Sequence, residues 1–175
     1  MQMNDSLYVH QIGMDPYYKT WHASGGSMIM YMHTDGGSIV STQQNYPIKK
    51  GALCFIGGNH FHYTLPENPE SYTRSKLFLP ADVLGKLLQV FPEELQMHDV
   101  FSPNALVYTQ LEAADQQYVE QILETIQRYA DDRQYLDPIV KSGYISLICK
   151  MVSSSSMNSD RSSKRYRFLK FKISI

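Results

Sequence analysis

The stretch that decides the fold is KKGALCFIGGNHFHY, Lys49 to Tyr63. An apolar run from Ala52 to Ile56 is entered through Lys49-Lys50-Gly51 and left through Gly57-Gly58-Asn59. Such a run between glycine turns is the pattern of a buried strand. If HFHYTL continues as the next strand, His60 and His62 point to opposite faces, because strand side chains alternate. On that reading His60 looks outward and only His62 can face an interior.

The same pattern extends on both sides, from Tyr17 to about Pro80. SMIMYMH is rich in large apolar residues, and Asp35-Gly36-Gly37 after it supplies the positive φ angles of a hairpin turn. SIVSTQQNYPI alternates loosely, with Pro47 marking a bend or an edge, and SYTRSKLFL reads as a further strand. Short strands separated by glycine turns predict a sandwich or barrel.

After Pro80 the period changes. Pro80-Ala81-Asp82 opens a helix with Leu84, Leu87 and Leu88 on one side. LEAADQQYVEQILETIQRYADD places Leu111, Asp115, Tyr118, Ile122, Ile126 and Tyr129 near one face, Asp115 being its polar interruption. Asp137 reads as an N-cap with Pro138 at the first helical position. The helix it starts carries Val140, Tyr144, Leu147, Ile148 and Met151, and Gly143 within it marks a close helix contact. These two amphipathic helices form a helical hairpin. SSSSMNSDRSS, 153–163, has linker composition, and KRYRFLKFKISI after it is basic and aromatic.

Composition limits the function classes. At 175 residues the chain makes one domain, 43% hydrophobic and 19% charged, with no apolar run long enough to span a bilayer. MQMNDSLYVHQ lacks the basic start and apolar segment of a secretory signal. Cys54 and Cys149 sit in apolar surroundings and read as buried, reduced thiols, so the expected location is cytoplasmic. The net charge of −1 hides an asymmetry: residues 161–175 hold six of the sixteen Lys and Arg and no acid, leaving the first 160 at −7. An acidic body does not attract phosphate backbones. No Gly-x-Ser-x-Gly, activated cysteine setting or phosphate-cradling glycine loop is present, so the chain does not read as an enzyme.

Strands, then two helices, then a linker: in this order the chain resembles the N-terminal sensing domain of AraC-type transcription regulators. Gly51, Ile56 and His62 fall on the spacing of a family strand motif, although Ala52 stands where the family has Asp and a glycine where it has Pro. KTWHASGGSMIMYMHTDGGS supplies His22, the apolar strand and the Gly-rich hairpin that precede it. YTRSKLFLPADVLGKLL matches an Arg-containing strand running into a helix. The resemblance covers about residues 8–152.

The resemblance implies a mainly β fold, a cupin-like jelly-roll β-barrel followed by a C-terminal α-helical hairpin. The domain would be 1–152 (barrel about 8–80, helices about 81–152), with 153–175 a linker and basic tail. It implies a small-molecule effector, a sugar or related metabolite, held in the barrel by Trp21, His22, Tyr31, His62 and Arg74. It further implies a homodimer through Tyr118, Ile122, Ile126 and Leu147. No cofactor and no metal are expected, since the cupin first metal motif has no counterpart after His22. DNA would be reached only through the family's helix-turn-helix units, for which this chain has no room, so it reads as a truncated regulator. The alternative is a small metal-dependent cupin enzyme, an isomerase or dioxygenase.

Overall fold

The computed structural model describes residues 8–13, 17–89, 101–129 and 133–159. In chain order the elements are β1 (Tyr8–Ile12), β2 (Gly26–Met32), β3 (Gly37–Ser41), β4 (Asn45–Pro47), β5 (Ala52–Ile56), β6 (His62–Pro66) and β7 (Thr73–Pro80). Then come α1 (Ala81–Leu88), β8 (Leu106–Gln110), α2 (Ala113–Arg128) and α3 (Arg133–Ser159). β1-β7-β2-β5-β8 form one antiparallel sheet and β4-β3-β6 a second.

The two central strands show how the layers stack. β2 is buried at all seven positions and β5 at all five, because both faces of the large sheet are covered. Ile29, Tyr31, Leu53, Phe55, Leu77 and Leu79 share one core with Val119, Leu123 and Ile126 of α2 and Val140, Tyr144 and Leu147 of α3. The alternate residues Met28, Met30, Met32, Cys54 and Ile56 share another with Ile39, Ile48 and Tyr72 on the side of the small sheet. The result is three layers: helical hairpin, five-stranded sheet, three-stranded sheet.

The expected cupin-like jelly-roll barrel is therefore corrected. Both sheets are open, and helix and strand take comparable shares of the chain. The edges β1 and β8 of the large sheet do not pair with each other, and a barrel requires that closure. The physical reason lies in β2 and β5. A barrel strand has one inward face, whereas these spend both faces on separate cores. β8 also returns to the large sheet from within a region read as helical, pairing Cys54 with Tyr108 and Phe55 with Val107.

Other local expectations meet the structure as follows. Gly36 and Gly37 take φ of +100° and +98°, as the hairpin turn requires. A Cβ on Gly143 would lie 2.8 Å from Ile126 Cδ1, so Gly143 marks a close α2–α3 contact. Asp115, the polar interruption of the α2 stripe, pairs with Lys150 of α3. That partly exposed pair is worth no more than about 1 kcal/mol. Each fully buried aliphatic side chain of the hairpin contributes about 1.5–3 kcal/mol, so apolar packing holds it together. α3 begins before Pro138, at Arg133, and runs through the serine-rich 153–159 instead of yielding to a linker. The side chain of Asp137 and residues 160–175 lie outside the described residues, as do residues 1–7 before β1. Cys54 is buried as expected, but Cys149 is exposed.

Gly37→Ala lowers stability by about 2 kcal/mol or more, since the left-handed backbone disfavours a side chain and the Cβ would meet Leu65 O at 2.2 Å. Gly85→Ala in α1, with nothing within 4 Å, raises it by about 0.5–1 kcal/mol. Urea unfolding of the two variants measures both.

Candidate functional site

Side chains at one end of the small sheet form a histidine cluster. β6 begins at His62, not at His60, so strand alternation does not reach residue 60. Both histidines are buried, and Phe61 between them is exposed. That corrects the outward placement of His60. Its backbone N–H donates to Gly57 O, and its ring Nδ1–H donates to Asn104 O at 2.7 Å. Its Nε2 is buried with no hydrogen-bond partner among the described residues, and so is Thr64 Oγ1 on β6.

His22 and His62 exchange backbone hydrogen bonds as an isolated antiparallel bridge, which brings their rings to 4.4 Å. His22 stacks on Tyr17 at 4.2 Å and lies 3.2 Å through Nδ1 from Thr20 O. His62 Nδ1–H donates to His60 O at 3.0 Å. In each ring a carbonyl partner fixes the proton on Nδ1 and leaves Nε2 as the acceptor. Burial pushes the pKa of His62 down to about 4; its backbone bond opposes this, and the nearby charges of His22 and Lys76 add to it. His62 therefore presents a neutral imidazole at neutral pH.

The five expected ligand residues fall into three places. Trp21, half exposed, meets Tyr63 edge-on at 4.8 Å beside the His22–His62 pair. These three lie together. Arg74 is fully buried, donating from Nη1 to Gly13 O at 3.1 Å with its guanidinium 4.3 Å over the Tyr72 ring. Tyr31 lies on the opposite, helix-facing side of the large sheet, where its hydroxyl donates to Glu120 Oε1 at 3.0 Å. Burial and that carboxylate raise its pKa. Of the expected dimer residues, Tyr118 is exposed and Ile122 half-buried, while Ile126 and Leu147 are buried in the chain's own core. Tyr118, Ile122 and Ile126 line an apolar groove of about 310 Å³ with Ile139 and Gly143 of α3.

A second polar cluster escaped the sequence reading. His33 Nε2 and His10 Nδ1 lie 2.8 and 3.0 Å from Ser75 Oγ, beside the Tyr31–Glu120 bond. Glu120 stands on the flank of α2 next to its buried face of Val119, Leu123 and Ile126. Among the described residues no group of three or more His, Cys, Asp or Glu is arranged to hold a metal ion. No described helix is long and apolar enough to cross a membrane.

No protein-family model matches the sequence, and no curated protein matches it either. Solved structures do match. An apo variant of ToxT from Vibrio cholerae strain SCE256 aligns with a TM-score of 0.52 at 14% identity, over 93% of this chain and 59% of that one. The chain thus spans about three fifths of the protein it matches. Wild-type ToxT with bound unsaturated fatty acid gives a TM-score of 0.49 at 15% identity, over 95% of this chain and 68% of that one. The AraC-like transcriptional activator CuxR gives 0.48 at 6% identity, over 74% and 47%. ToxT and CuxR are AraC-family regulators. At this identity the likeness to the apo ToxT variant is one of fold.

Acid should destabilise the protein through His62. A base whose folded pKa is depressed stabilises the fold fully above its unfolded value of 6.5, and that stability is lost as pH falls toward about 4. The loss is about 3 kcal/mol. Unfolding free energies between pH 7.5 and 4 should show it, and His62→Gln should flatten the slope while lowering stability throughout.

Proposed function

We propose that this chain is the effector-sensing and dimerising portion of an AraC-type transcription regulator. The observation that carries the reading is the fold likeness to ToxT across 93% of the chain. The effector is a small polar metabolite, sugar-like in its hydroxyl groups. It is met by the imidazoles of His22 and His62 and by the face of Trp21; Arg74, held by Gly13 O and the Tyr72 ring, stands apart from that group. Tyr31 acts from the other side of the sheet, by linking it to α2. The partner is a second copy of the chain, seated on the groove between α2 and α3 that Tyr118 and Ile122 border. Ile126 and Leu147 form the floor on which those two stand. DNA recognition belongs to a helix-turn-helix portion that is not among the described residues.

Effector capture would act by shifting how the helical hairpin packs on the sheet, and the driving free energy is the difference in ligand contacts between the two packings. Sedimentation equilibrium of the full chain at micromolar concentration should give a dimer, and Ile122→Arg should return it to monomer with the fold intact. A wild-type chain that stays monomeric throughout would sink the dimer. A panel of sugars and related polyols, read by melting temperature, should yield one that stabilises wild type and loses its effect in His22→Ala. A panel with no such compound counts against sugar sensing.

A further inference from the structure

We propose that His60 and Thr64 are ligand-contacting residues that hold two hydroxyl groups of a polyol between the two sheets. The proposal rests on the effector reading above and adds the hydrogen bonds that select one polyol over another.

The first argument comes from atoms without a partner. His60 is 4% exposed and Thr64 3%. Among the described residues His60 Nε2 and Thr64 Oγ1 are closed to solvent and meet no donor or acceptor. A buried polar group left unpaired destabilises the protein that carries it. Here two such groups flank His62 in the chain, each one residue removed from it. Valine has nearly the shape of threonine and would fill position 64 without that cost, so packing alone does not account for the hydroxyl.

The second argument is the direction and chemistry of those atoms. Thr64 pairs with Ile39 across β3 and β6, and Ile39 lies in the core between the sheets. Paired residues of neighbouring strands share a face, so Thr64 points into that core. The His60 ring lies 6.4 Å from the His62 ring. Its Nδ1–H is committed to Asn104 O, which leaves Nε2 to accept. Nε2 thus calls for a donor, while the Thr64 hydroxyl both donates and accepts. Hydroxyl groups on one edge of a polyol supply both partners; a ketone or ether oxygen would leave His60 unpaired. The large sheet gives Met28, Met30 and Met32 to the same core. These unbranched thioethers change rotamer readily, so they can make way for a ligand, and they suit the C–H face of a sugar.

The test titrates xylose, glucose, galactose and their alditols into the full chain. The readouts are the melting temperature and the methionine methyl signals by NMR. The expected result is that a probe stabilising wild type also moves the Met28, Met30 and Met32 methyl signals. That probe binds about tenfold more weakly to Thr64→Val and to His60→Asn. His60→Asn keeps a side-chain N–H for Asn104 O and loses the Nε2 acceptor. Without ligand, Thr64→Val melts about 2–4 °C above wild type, because it removes an unpaired group and keeps the shape. A lower melting temperature for unliganded Thr64→Val would overturn the proposal whether or not a ligand is found. A probe that loses its effect in His22→Ala but binds both variants at full strength would overturn it and leave the effector reading standing. If no probe stabilises wild type, both fall.

Discussion

Everything in this molecule rests on burying both faces of β2 and β5. Twelve consecutive-strand positions are closed to water, and the odd and even residues belong to different cores. The five-stranded sheet is thus the middle layer, and the helices and the small sheet are each held by one of its faces. A sheet with only one covered face would not need Met30 and Cys54 on the side away from the helices, and a closed barrel would not need Ile29 and Leu53 on the side toward them. Loss of either outer layer would expose one whole set of these side chains, at about 25 cal/mol per Å² of apolar surface.

The position of the polar groups follows from that layering. Each core has a polar margin. Between the sheets it is the His22–His62 pair with Thr64. Between sheet and helices it is Ser75 and His33, which share a hydrogen bond, and Glu120, which accepts from the Tyr31 hydroxyl. Because neighbouring residues of one strand serve opposite faces, Arg74 and Ser75 contribute to different sides of the sheet, and a change at one need not disturb the other's partners.

Much of this was legible in the sequence. SMIMYMH, ALCFI and the glycine turns between strands sit where their patterns placed them, and the helical hairpin follows the apolar stripes of α2 and α3. The layer arrangement was misread for a reason visible in the same residues. An unbroken run such as MIMYM, unlike an alternating one, signals a strand covered on both sides, as the middle layer of a three-layer stack is. β8 was missed because LVYTQ is short and follows a helix, and its strand character comes from the free edge of β5. His60 was misplaced because alternation was carried into a turn. Pro138 was taken as a helix start, but it stands five residues after Arg133, inside α3, where its ring removes one backbone hydrogen bond without ending the helix. Of the candidate site, His22 and His62 come together through a backbone bridge between distant residues, which no local pattern reports.

Trp21 is the chain's single tryptophan, half exposed and edge-on to Tyr63 next to the His22–His62 bridge. The protein therefore carries its own optical probe at one end of the small sheet. Its emission reports polarity and quencher access at that end alone, and Tyr63 is close enough to feed it excitation energy. The helical hairpin has only tyrosines and is silent at tryptophan wavelengths. Events on the two sides of the middle sheet can thus be told apart without attaching a label.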